Sequence, residues 1–196
     1  MKKRLLQSAS FLIGVALSTA ALAQPAPASG GAAPAPANRP EAQLSAADQD
    51  FVKQAAIGGR FEVEAGRLAE HSANSQVREF GSRMVRDHSA ADAKLRAVAK
   101  SLGETLPQGL DQEHAQLLDR LKSLRGPEFS REYMGNMVRD HDQDVQLFRK
   151  EAHAADNPKI RHWAEQTLPV IESHDRMAHE IEASLMATGS STERRR

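Results

Sequence analysis

Cysteine is absent from the 196-residue chain, which excludes disulfides, thiolate chemistry, cysteine-ligated zinc or iron–sulfur centres and lipid attachment at an N-terminal cysteine. Aromatic residues are scarce at 4%, with one Trp and one Tyr, while Ala, Leu, Glu, Arg and Gln abound. That composition favours helix over sheet. Neither charge is in excess, because 26 Lys plus Arg balance 26 Asp plus Glu, and the electrostatic case for nucleic acid or an anionic membrane surface is removed. A Gly-rich phosphate loop, a Gly-x-Ser-x-Gly elbow and a His-Glu-x-x-His motif are all missing, which disfavours nucleotide binding and hydrolysis.

The longest apolar stretch lies at the N-terminus. Lys2, Lys3 and Arg4 precede a mostly apolar segment from Leu5 to Thr19, and Ala21-Leu22-Ala23 has the small-x-small form of a signal-peptidase site. This predicts an exported chain cleaved after Ala23. Gln7, Ser8 and Ser10 interrupt the segment, and no other apolar run approaches the roughly 20 residues of a membrane span. The mature chain is expected to be periplasmic, slightly acidic and free of a transmembrane segment, with outer-membrane association left open.

Residues 24–44 hold mainly Pro, Ala, Gly and Ser with little apolar bulk and read as a flexible linker. Residues 188–196 read as a polar tail, so the folded part is expected over 45–187. Ser45 and Asp48 resemble a capping box, opening helix 1 over about 46–72 with Phe51, Ala55, Gly58, Glu62, Ala65 and Ala69 in its stripe. Helix 2 carries Val77, Gly81, Met84, His88, Ala91, Leu95, Val98 and Leu102 and stops at Gly103. A connection with a short amphipathic piece (113–124) leads to Pro127 in the first turn of helix 3, whose stripe runs Met134, Met137, His141, Val145, Phe148 and Ala152. Asn157 and Pro158 open helix 4, with Ile160, Ala164, Thr167, Ile171, His174, Ala178, Ile181 and Leu185 in its stripe and Pro169 as an expected kink.

Four long helices with tight breaks near 74 and 157 make two antiparallel hairpins, and the long middle connection makes helices 2 and 3 parallel. The fold expected is all-α, a four-helix bundle with one long crossover connection carrying a short helix. The pentapeptide MVRDH occurs at 84–88 and again at 137–141, in the same stripe of both parallel helices.

Each stripe holds one residue with ligand chemistry: Glu62, His88, His141 and His174. Glu62 lies 12 residues before Asn74 and His88 lies 13 after Ser75, so at about 1.5 Å per residue they stand level across the first hairpin. His141 and His174 are matched in the same way about the second break. One carboxylate and three imidazoles in a dry interior suit a transition metal, Fe, Zn, Cu or Mn, rather than Ca or Mg. Asp87 and Asp140 stand one residue before their histidines, placed to orient an imidazole or to act as alternative ligands. Met84, Met134 and Met137 read as core, with copper–thioether ligation the lesser alternative. His71, His114, His153, His162 and His179 fall outside the stripes and are expected to be exposed. The competing reading has no cofactor: a structural Asp/His layer fixes bundle register, and the outer helix faces bind an envelope protein partner.

The stretches FEVEAGRLAEHSANSQVREFGSRMVRDHSAADAKL, LPQGL, GPEFSREYMGNMVRDHDQDVQLFRKEA and LPVIESH resemble a bacterial family of exported proteins of unknown function, often labelled predicted outer membrane proteins. The resemblance covers about 48–185 and implies a ferritin-like fold. The family's helix-1 Glu, its two Asp-His pairs and its His after Leu-Pro correspond to Glu62, Asp87, His88, Asp140, His141 and His174. The resemblance supplies no activity. Neither helix 2 nor helix 4 carries the Glu-x-x-His spacing of a carboxylate-bridged di-iron site around its stripe histidine, which argues against ferroxidase chemistry. Barrel-type alternation is also missing from the chain.

Overall fold

A computed structural model describes residues 44–193, with side chains as far as Thr188. The expected signal peptide and all of the expected linker except Leu44 lie outside the described residues. Leu44 itself is buried against the core. Among the described residues every regular element is a helix: α1 (Ala46–Ala69), α2 (Ser75–Ser101), α3 (Gln112–Ser123), α4 (Gly126–Ala154) and α5 (Pro158–Glu193). None is long and apolar enough to cross a membrane.

The boundaries follow local chemistry. Ser45 Oγ accepts the Asp48 N–H at 3.1 Å, Asn74 Oδ1 that of Val77 at 3.1 Å, and Asp111 Oδ1 that of His114 at 2.9 Å, each satisfying an amide that the first helical turn leaves free. After α2 the chain turns at Gly103, whose φ of 73° suits glycine. Two details differ from the sequence expectation. Asp48 does not close a capping box, for which its side chain is short; its carboxylate instead accepts the Asp156 and Asn157 amides at 3.1 and 2.9 Å, pinning the α4–α5 turn to the start of α1. Pro169 stands inside α5, where the sequence places it. That helix also runs on to Glu193 through residues expected as a tail, Thr188 Oγ1 bonding back to the Ser184 and Leu185 carbonyls at 2.9 and 3.0 Å.

Cross-helix contacts set the directions. Ser72 Oγ lies 3.3 Å from Ser130 Oγ, so the end of α1 meets the start of α4, while Asp48 ties the start of α1 to the end of α4. Gln76 with Ser184 at 3.4 Å, and Ser101 with Lys159 at 3.1 Å, do the same for α2 and α5. The helices of each hairpin are antiparallel, and α2 and α4 run parallel, joined by the connection that carries α3. Where α1 crosses α2 the backbones nearly touch: a Cβ on Gly81 would stand 2.6 Å from Ala69 Cβ and 2.8 Å from Gly66 O. Only glycine fits there.

The interior divides into two apolar clusters. One gathers Phe51, Phe148 and Trp163, with ring centroids 5.0 to 5.6 Å apart, together with Leu95, Ile160 and Ile171. The other holds Phe61, Phe80, Tyr133, Met84, Met134 and Met137. Along α2, α4 and α5 the change from one cluster to the other falls at a buried polar residue, and on α1 a buried polar residue follows directly after the change.

Candidate metal centre

Those polar residues are Glu62 on α1, His88 on α2, His141 on α4 and His174 on α5, all buried. Helical periodicity puts each on the inner stripe, and the two matched hairpins bring them to one level. Glu62 Oε2 lies 2.8 Å from His88 Nδ1, and Glu62 Oε1 lies 3.4 Å from His141 Nε2. His88 Nε2 is 3.2 Å from His174 Nδ1. The three imidazoles pack with ring centroids 5.2 to 5.7 Å apart, and each offers a nitrogen within 4.8 Å of the others. Phe80 seals them from below, edge-on to His141 and His174 at 6.3 and 6.4 Å.

The hydrogen bonds assign the protons. His174 Nε2 faces Asp87 Oδ2 at 3.0 Å, and a carboxylate only accepts, so Nε2 carries the proton and Nδ1 is the acceptor. His88 Nε2 must then donate to that Nδ1, and His88 Nδ1 faces the Glu62 carboxylate. The Glu62 carboxylate, 2.8 Å from that Nδ1, favours the protonated form of His88. Burial pushes the His88 pKa down, but the Glu62 charge outweighs it and raises the value above 6.5. Burial likewise pushes Glu62 up, and the neighbouring imidazoles, His88 foremost, overcome it and hold the carboxyl at about 2. His174 is lowered by burial and by the His88 cation to about 4.

His141 differs. Its Nδ1–H donates to the Met137 carbonyl at 2.9 Å, and burial, with His88 adding to it, lowers its pKa despite Glu62. Its Nε2 lies 3.4 Å from Glu62 Oε1, and neither atom has a hydrogen-bond partner.

Around this layer the structure separates the two aspartates that the sequence treats alike. Asp87 accepts from Arg86 Nε at 2.9 Å and from His174; burial raises its pKa, and these bonds more than reverse it. Asp140 does not contact any of the imidazoles through a hydrogen bond; its Oδ2 is buried without a donor, and burial, with Glu62 nearby, raises its pKa to about 7. Met84, Met134 and Met137 are fully buried members of the lower apolar cluster. His71, His153, His162 and His179 are exposed as expected, but His114 is half-buried, 5.2 Å from the Phe61 ring and 2.7 Å from Asp111.

Sequence reasoning missed Asp144, one turn beyond Asp140 on the same face of α4. It adjoins Glu62 and His88 along a void of about 20 Å³, the room of one water, and burial and then Glu62 raise its pKa well above 3.8. The i,i+4 spacing from Asp140 was the available signal. A second, exposed group, Asp142, Asp175 and His179, also went unnoticed; His179 Nε2 lies 3.1 Å from Asp142 and 3.6 Å from Asp175.

Residues 33–192 match a family described as a domain of unknown function, DUF4142. The chain belongs to that family. A DUF305 fragment from Deinococcus radiodurans, known from a crystal structure, is similar to this DUF4142 chain with a TM-score of 0.62, covering 72% of this chain and 98% of its own at 15% identity. That likeness concerns the helical fold alone. No curated protein matches the chain.

Proposed function

We propose that this chain is an exported bundle of ferritin-like architecture that binds a transition-metal ion, Fe, Zn, Cu or Mn, through Glu62, His88, His141 and His174, for metal handling or stress protection in the periplasm. The observation that carries this is the pair His141 Nε2 and Glu62 Oε1, buried, 3.4 Å apart and each without a hydrogen-bond partner. Such an arrangement costs free energy in a dry interior unless a cation joins the two. Three nitrogens and a carboxylate fit a borderline metal. His141 Nδ1–H on a backbone carbonyl is the usual brace of a ligating imidazole. Export rests on the sequence of residues 1–23 and the ferritin-like assignment on one parallel helix pair with one long connection.

The hydrogen-bonded chain His88–His174–Asp87 favours a structural role for that part of the layer. It does not account for His141. The partner reading gains little from the surface: the exposed large apolar side chains among the described residues, Val170 and Met186, stand about 24 Å apart along α5 and form no shared patch.

The test is metal content of the mature protein, residues 24–196, isolated from periplasm without an affinity tag, beside a His88→Ala/His141→Ala variant. Near-stoichiometric metal that disappears in the variant while helicity is retained is the expected result. Finding none in either protein, even after reconstitution with Fe, Zn, Cu and Mn, would sink the reading.

A further inference from the structure

The two sides of the centre are closed to different degrees. Toward α2 and α5 the centre is capped by Asp87, which accepts from His174 and is gripped by Arg86. Toward α1 and α4 a cleft of about 450 Å³ runs inward from the surface, past the start of α3, and its floor is Glu62. Asp50, Asp111, Asp140 and Asp144 line it, with Lys53 as the single cationic side chain among its lining residues.

A row of surface carboxylates is ordinarily just solvated. This one is set apart by what it ends on. The Glu62 side chain is 2% exposed, and its oxygens accept no hydrogen bond of sound geometry, although they face two imidazoles. On the wall, Asp140 Oδ2 is buried with no donor, the neighbouring Arg139 guanidinium being turned to Asn136 Oδ1. Asp144 and Glu62 border both the cleft and the 20 Å³ void beside His88, so these two carboxylates stand where the open space meets the closed one.

We propose that this cleft is the entrance by which a divalent transition-metal cation reaches the centre, with Asp140 and Asp144 as the groups it meets before Glu62. The inference rests on the metal-binding reading above and adds the route. A hydrated dication must exchange waters for protein oxygens step by step, and two carboxylates one helical turn apart provide such steps before the imidazoles are reached. A low-dielectric cleft lined by one sign of charge also concentrates counter-ions at its mouth, raising association rates by roughly 10- to 1000-fold.

The experiment is stopped-flow mixing of chelator-stripped protein with Co(II), followed by its visible d–d absorption and by the bound metal at equilibrium. In Asp140→Asn/Asp144→Asn the association rate is expected to fall about tenfold with the final Co(II) content unchanged. Asp142→Asn, on the face of α4 turned toward His179, leaves the rate as it was. Loading of the unmutated protein must also slow with added salt, a readout that needs no variant. A double variant that loads as fast as wild type, or salt-independent loading of the wild type, overturns the entrance while leaving the centre intact. Loss of Co(II) at equilibrium in the double variant also overturns it, by making these aspartates ligands. If the wild type takes up no Co(II), the metal reading has failed and the route falls with it.

Discussion

The two copies of MVRDH, on α2 and on α4, place their residues alike and partner them differently. In both, the methionine is fully buried, the arginine lies outside and the histidine enters the polar layer. On α2, Arg86 holds Asp87, Asp87 holds His174, and His88 lies between His174 and Glu62. On α4, Arg139 turns to Asn136, Asp140 Oδ2 is left without a donor, and His141 Nε2 has no hydrogen-bond partner. The α2 copy is closed by its neighbours and the α4 copy is left open beside a carboxylate-lined cleft. Helical spacing decides where a side chain points, whereas its protonation is decided by what the other helices bring to it.

The widest break in this comparison is removal of the residue both copies share. Glu62→Ala leaves the His88 cation buried without its anion, and breaking one side of a buried ion pair costs about 3–5 kcal/mol. Urea unfolding of metal-free protein near neutral pH should register a loss of that size. A loss below about 1 kcal/mol would mean that water already solvates this carboxylate and that the layer is not dry.

A finer separation comes from His88→Ala and His141→Ala measured side by side. The two substitutions delete the same atoms from the same layer, so their cavity terms are similar, but only the first strands the Glu62 anion. Only the second removes a ring nitrogen that has no hydrogen-bond partner in the fold. His88→Ala is expected to cost about 1–3 kcal/mol more than His141→Ala. Equal losses would show the histidines to be equivalent and remove the case for an open position at His141.

Much of the geometry was legible in the sequence. The stripes of α1, α2, α4 and α5 fix which face is inward, and counting residues from the tight breaks at Asn74 and Asn157 gives the common level of Glu62 with His88 and of His141 with His174. The relative height of the two hairpins was not legible, because no local pattern encodes it; it is set across the bundle by contacts such as Asp48 with the Asp156 and Asn157 amides. The different fates of Asp87 and Asp140 were equally hidden. Both follow an arginine in the same five letters, and what separates them is His174, 87 residues away from Asp87, and the start of α3 near Asp140. Asp144 escaped notice for the converse reason: it sits off the apolar stripe, and only the cleft gives it meaning.

Those two aspartates give the comparison its smallest and sharpest test. Asp140 has its folded pKa raised from 3.8 to about 7, so the folded state keeps a proton that the unfolded state releases. Its contribution to stability is fully present below about pH 4 and is lost as pH rises toward 7. Asp87 is held below 3.8, so its contribution is present above that value and fades as pH falls through the lower folded pKa. The two isosteric variants should therefore move in opposite directions. At about pH 8, Asp140→Asn is expected to stabilise metal-free protein by about 1–2 kcal/mol, after discounting for partial exposure, with the gain vanishing near pH 4. Asp87→Asn should cost about 0.5 kcal/mol at neutral pH, less in acid. Urea unfolding curves at three pH values measure both slopes. Parallel slopes would mean that Asp140 has an undetected donor. Opposite slopes, joined to slower metal uptake in the Asp140→Asn/Asp144→Asn variant, would mark Asp140 as a residue that sacrifices stability for access to the centre, the usual relation between a working site and the fold that carries it.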